Sequence, residues 1–127
     1  AAPRSERARR WRDDGQAAVE FAVALPIVVV AMLAIAQIGV AVRNELAVEL
    51  AAREGARAAA VSSDAIGAAT DAARRAVDLP IEVHVAIGAA TVSVTVTYVD
   101  PTDVAIIGAA IGPVTHAATA TMAIEPP

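Results

Sequence analysis

Few side chains in this sequence have the chemistry to make or break bonds, and their spacing argues against most of it. Ser62 and Ser63 have no base nearby in sequence and stand where a helix would begin, so they read as caps. Asp100 and Asp103 flank Pro101, a turn setting in which aspartates serve the backbone. Glu82 and His84 share one face of an alternating segment and His116 lies on another strand, which makes a metal site conceivable. A solvated sheet face is the better account of them, so neither metal nor other cofactor is expected. Arg53, Arg57, Arg74 and Arg75 are interleaved with Glu49, Glu54 and Asp71, a pattern of intrahelical ion pairs rather than an anion pocket. The absence of cysteine removes disulfides, thiolate nucleophiles and thiolate zinc sites together. With no clustered nucleophile and base, the expectation is a protein that is not an enzyme and has no small-molecule substrate.

The remaining chemically notable group is Glu20, which opens onto an apolar run. A charged side chain costs about 2.5–3.5 kcal/mol at a membrane centre and less near the interface, so this carboxylate needs a partner or a route to water. It can snorkel to the interface and mark a helix start, or pair with a cation supplied by another segment.

Stepping outward from Glu20, the run Phe21 to Val42 carries no charged residue. As a helix rising about 1.5 Å per residue it spans roughly 33 Å, against a hydrocarbon core of about 30 Å. A buried core helix is the competing account. However, a chain of 127 residues with one Phe, one Trp and one Tyr has little structure with which to wrap a helix that is apolar all round. Arg4, Arg7, Arg9, Arg10 and Arg12 precede the span, whereas Arg43 beyond it is followed by Glu45 and Glu49. This bias places the N-terminus in the cytoplasm and the C-terminal part outside. Trp11 is either at the inner headgroup level or in a disordered leader. The net charge of −4, with the Arg cluster confined to the start, argues against a nucleic-acid partner. Ala34-Ile35-Ala36 has the small-x-small form that signal peptidase accepts, which keeps a secreted small domain among the alternatives. The pair Arg9-Arg10 is a weak twin-arginine signal, closely followed by Asp13 and Asp14.

The junction itself is more specific. Gly15-Gln16-Ala17-Ala18-Val19-Glu20-Phe21 resembles the processing site of Flp-type prepilins, a Gly followed by four residues and then Glu-Phe or Glu-Tyr. Ala22 and Pro26 extend the pattern, and Ala-Ala-Arg-Glu-Gly-Ala-Arg at 51–57 and Ala-Thr-Met-Ala-Ile-Glu at 120–125 are similar to TadE-like minor pseudopilins of the tight-adherence pilus. The resemblance implies that a membrane-embedded prepilin peptidase cuts between Gly15 and Gln16, leaving the span in place. It also implies that Glu20, with Phe21 beside it, serves subunit assembly by pairing with a neighbouring subunit's new N-terminal amine, a group of ordinary pKa about 7.7–8.0. Pro26 removes a backbone hydrogen bond and is expected to kink the helix. Asp13 and Asp14 depart from a purely basic leader. The implied partners are the peptidase, other pilins and pseudopilins, the pilus assembly platform and the membrane. The part left after the cut is longer than the very short major Flp subunit, which points to a minor role in a pilus or in its assembly machinery. An unprocessed, signal-anchored cell-envelope binding protein is the structural alternative.

The expected division is therefore a leader over 1–15, a transmembrane helix over 16–42 and a pilin-like head over 43–127. The fold class is α+β. The helix should continue past Arg43, with Leu46, Leu50, Val61 and many alanines forming one apolar side and Glu49 four residues before Arg53. Ser62-Ser63-Asp64 breaks it and caps a second helix running to Asp78, with Ile66, Ala69, Ala73 and Val77 on its apolar side and Pro80 ending it. Alternation at 81–87 and 92–98 around Gly88-Ala89-Ala90 predicts a hairpin, and Val114 to Ile124 a third strand, so that a small meander packs on the outer half of the long helix. Val104 to Ile111 is too short to cross a bilayer. It reads first as a buried helix closing the sheet and second as a contact surface. Such a head, with Tyr98 as its single aromatic, has a thin core and is expected to gain stability from assembly.

Overall fold

A computed structural model describes residues 3–126; Ala1, Ala2 and Pro127, the outermost residues of the expected leader and head, lie outside the described residues. The chain is α+β. One helix, α1, runs from Arg4 to Ala60 and is about 85 Å long. It is followed by α2 (Ala65–Ala76), β1 (Glu82–Ile87), β2 (Thr91–Asp100), α3 (Ile107–Ile111) and β3 (Val114–Ala123). The strands form an antiparallel meander in the order β1-β2-β3. Helix α1 begins within the Arg-rich leader, so Trp11 stands 80% exposed on a helix rather than in irregular chain. Pro26 lies inside α1, which continues on both sides of it.

The C-terminal half of α1 carries the head. Its buried face consists of Val48, Ala51, Ala52, Gly55, Ala56, Ala59 and Ala60. Against it pack Ala69 and Ala73 of α2, Ile81, and Val92, Val94 and Val96 of the central strand. The expected apolar side of Leu46, Leu50 and Val61 is wrong: these residues are 60%, 47% and 65% exposed, and Ile66 of α2 is 58% exposed. The reason is close approach. A Cβ on Gly55 would stand 3.1 Å from both the Ala69 carbonyl oxygen and Val94 Cγ1, so neighbouring core positions admit only small side chains. The largest fully buried side chains are valines.

Local signals set the element ends. The Asp64 carboxylate caps α2 by accepting from the Gly67 amide at 3.1 Å, while Ser62 Oγ accepts from the Asp64 amide. Helix α2 stops at Ala76, two residues before the expected Asp78. The β1–β2 connection closes through the Gly88 amide donating to the Thr91 carbonyl at 2.7 Å. Beyond β3, the Glu125 amide donates to the Ala60 carbonyl, satisfying an acceptor at the open end of α1.

Segment 104–111 departs from its first reading. Only Ile107–Ile111 is helical, none of its residues is buried, and Ile106 and Ile111 are 57% and 55% exposed. A buried lid fails because the inner face of the sheet is already covered by α1 and α2.

Two core substitutions test this packing. Val94→Ala removes two fully buried methyl groups and should cost about 2 kcal/mol of head stability. Gly55→Leu, which must displace Val94 and the Ala69 backbone, should cost more. Thermal unfolding and limited proteolysis of the detergent-solubilised full chain measure both, and an unaltered Gly55→Leu head would refute the close contact.

Candidate functional site

The residues of the junction all lie on the part of α1 that no other element covers. Gly15, Gln16, Glu20, Phe21 and Pro26 are exposed, and a Cβ on Gly15 would meet nothing within 4 Å. Residues 16 and 20 are one turn apart and share a face, so the Gln16 side-chain amide reaches Glu20 Oε1 at a long 3.5 Å. The Phe21 side chain is 67% exposed beside them. The Gly15–Gln16 peptide bond thus sits within a helix, where a glycine lowers local stability by about 1 kcal/mol relative to alanine.

A second polar group lies where the head meets the apolar part of α1. Asn44 Nδ2 donates to Asp100 Oδ2 at 3.0 Å, both residues being buried, and Asp100 Oδ1 accepts from the Thr102 amide at 2.9 Å. One carboxylate therefore ties the end of β2 to α1 and also shapes the following turn, where Thr102 has φ of 58°. Next to it His116 Nδ1 donates to Glu45 Oε2 at 3.1 Å. The ring is buried and stacked on Tyr98 at a centroid distance of 6.5 Å, while Glu45 is half exposed. Gln37, on the same side of α1, is also buried. Asp100 was legible as a turn residue, but its pairing with Asn44 and the burial of His116 were not. The available signal was that Gln37 and Asn44, the two amides between Phe21 and Ala60, are seven residues apart and so share the face continued by Ala51.

The other chemically capable residues do not converge. His84 pairs with Thr95 and His116 with Tyr98, which puts the two histidines on opposite faces of the sheet. His84 lines a shallow outer-face depression with Arg74, Glu82, Thr95 and Thr97. No metal-binding group of three or more ligands occurs among the described residues. Ser62 is engaged in the turn before α2. Of the Arg–carboxylate pairs expected along the helices, Arg53–Glu49 forms, at 3.6 Å.

The architecture is that of a head carried on the C-terminal half of a helix whose other half is apolar, long enough to cross a bilayer and almost wholly unburied. Residues 15–57 match the model of the TadE-like protein family. Over that stretch the chain is similar to TadE-like proteins of the tight-adherence pilus system, and the apolar helix has the length and composition of a single-pass membrane anchor. That family is a structural pilus component. Neither the curated proteins nor the solved structures contain a match to this chain.

Truncating Asn44 to Ala leaves a buried carboxylate oxygen without its partner and should lower stability by about 1–3 kcal/mol. A double-mutant cycle with Asp100→Ala, read by chemical unfolding of the full chain in detergent, should return a coupling above about 0.5 kcal/mol. Strict additivity would mean that the pair does not tie the head to α1.

Proposed function

We propose that this chain is a minor pseudopilin: a structural or assembly subunit of a tight-adherence pilus, anchored with its N-terminus in the cytoplasm and its head outside. The observation that carries the reading is the junction of Gly15, Glu20 and Phe21 at the start of an uncovered apolar helix, together with a family match that begins at Gly15 and omits the Arg-rich leader. A prepilin peptidase cuts between Gly15 and Gln16 after this stretch of helix opens. The new amine is a cation at the membrane surface, where Glu20 of a neighbouring subunit requires one. Reach supports this: residue 16 already approaches the carboxylate one turn away within the same chain. Leu46 and Leu50, exposed above Val42, extend the apolar surface of the anchor outward and suit helix-to-helix contact with other subunits.

A second reading, secretion after a cut between Ala36 and Gln37, is favoured by one fact: the buried residues of α1 begin at Gln37, so that cut would leave the head's packing whole.

N-terminal sequencing of the mature protein, from cells with and without their prepilin peptidase, separates these outcomes. The expected result is a membrane-bound chain starting at Gln16 that disappears without the peptidase. A soluble chain starting at Gln37 would establish secretion, and an intact leader would leave a simple anchor. Gly15→Leu should abolish the cut, whereas Glu20→Ala should leave the subunit processed but absent from assembled pili.

A further inference from the structure

The strands stop level with Asn44 and Glu45 of α1, to which Asp100 and His116 are tied. At the opposite end of the sheet, Glu125 meets Ala60. The connection from Asp100 to Val114 therefore extends past the sheet in the direction of the apolar span, and α3 within it packs on α1. Something covers α1 there: Gln37 is 6% exposed, while Ile35 and Ile38 beside it are 69% and 64% exposed. Gln37 lies inside the Phe21–Val42 run, about 8 Å short of its outer end.

What the connection presents at that depth is apolar. From Val104 to Pro113 there is no charged or hydrogen-bonding side chain. Ala105, Ile106, Ala109, Ala110 and Ile111 all face outward. Gly108 backs onto the Thr102 carbonyl so closely that a side chain there would collide with it, which holds α3 against the turn that Asp100 shapes. An element of this length cannot cross a bilayer, but apolar side chains on a short helix can lie among headgroups and upper acyl chains.

We infer that Val104–Pro113 is embedded in the outer-leaflet interface of the bilayer that α1 crosses, giving the head a second contact with lipid. The inference rests on the membrane reading of Phe21–Val42. Lipid is favoured over a second protein copy because the exposed isoleucines continue, at the same depth, the surface that the anchor already presents to acyl chains. Two contacts hold the head at a set rotation about α1, which a single helix crossing would leave free. A subunit leaving the bilayer for a pilus must then rebury Ile106 and Ile111 against protein.

The test uses the full chain in phosphatidylcholine vesicles, with Trp11→Phe removing the native indole. Single tryptophans are introduced by Ile111→Trp and, in case that variant fails to fold, Ala110→Trp. Val29→Trp reports the span and Ile87→Trp the far end of the head. With lipids brominated in the upper acyl chain, the 111 and 110 probes should show blue-shifted emission and lose most of it, as the span probe does, while the 87 probe keeps its emission. Water-like, unquenched emission from the α3 probes would overturn the inference. So would shielded emission that ignores bromine and follows the protein-to-lipid ratio, since a second copy would then cover α3. Loss of quenching at the Val29→Trp probe would instead bring down the anchor reading itself.

Discussion

Close packing of the C-terminal half of α1 is the constraint on which the head depends. Its inward face is alanine, glycine and a single valine, and that smallness lets α2 and the central strand approach until Gly55 is in contact with both. Burial per residue is then modest. Valine is the largest fully buried side chain, and a small domain of this kind sits near the lower limit of independent stability. The larger apolar residues cannot enter such an interface, so Leu46, Leu50, Val61 and Ile66 are displaced to the surface. The same packing that makes the core thin thus leaves larger apolar side chains on the exterior.

A polar knot at the base of the head complements the apolar contact. Asn44, Asp100 and the Thr102 amide form one connected group, with His116 and Glu45 beside it. Buried polar groups are costly unless paired, so the Asn44–Asp100 and Asp100–Thr102 hydrogen bonds favour this register between β2, the following turn and α1, while Thr102 Oγ1 and His116 Nε2 are buried beside them without a partner among the described residues. The knot lies just beyond Val42, where α1 passes from an uncovered apolar surface to a covered one. The position of this knot also decides where the 101–113 connection emerges, and hence which apolar side chains it leaves exposed.

The two functional regions make opposite use of α1. Around Gly15 and Glu20 the helix is bare, and its polar side chains have no partner from another element of the fold among the described residues. Beyond Asn44 it is the spine of a folded unit. The TadE-like match spans both, from Gly15 to Arg57, and stops before the sheet, so the family's signature is the helix rather than the strands it carries.

Much of this was legible before any coordinates. An uncharged run long enough for a bilayer, an Asp64 cap, alternation at 81–87 and 92–98 and the Gly15–Phe21 junction are local patterns, and local patterns report periodicity, capping and charge directly. The fold class, the meander and its placement on the long helix followed from them. The outcomes that escaped depend on distances between segments far apart in sequence. Leu46 and Leu50 looked like core because hydrophobicity was the available guide, whereas the gap between α1 and β2 admits only small groups. Alternation alone does not relate His84 to His116, which the register puts on opposite faces. Asn44 and Asp100 carry no mark of each other, and Val104–Ile111 looked buried because it is apolar. The sequence by itself determined the elements and the long apolar span, since each is written in neighbouring residues. Tertiary structure decided which apolar face is the core, which polar groups are paired and which segment is left facing outward, because those follow from how closely distant parts of the chain can approach.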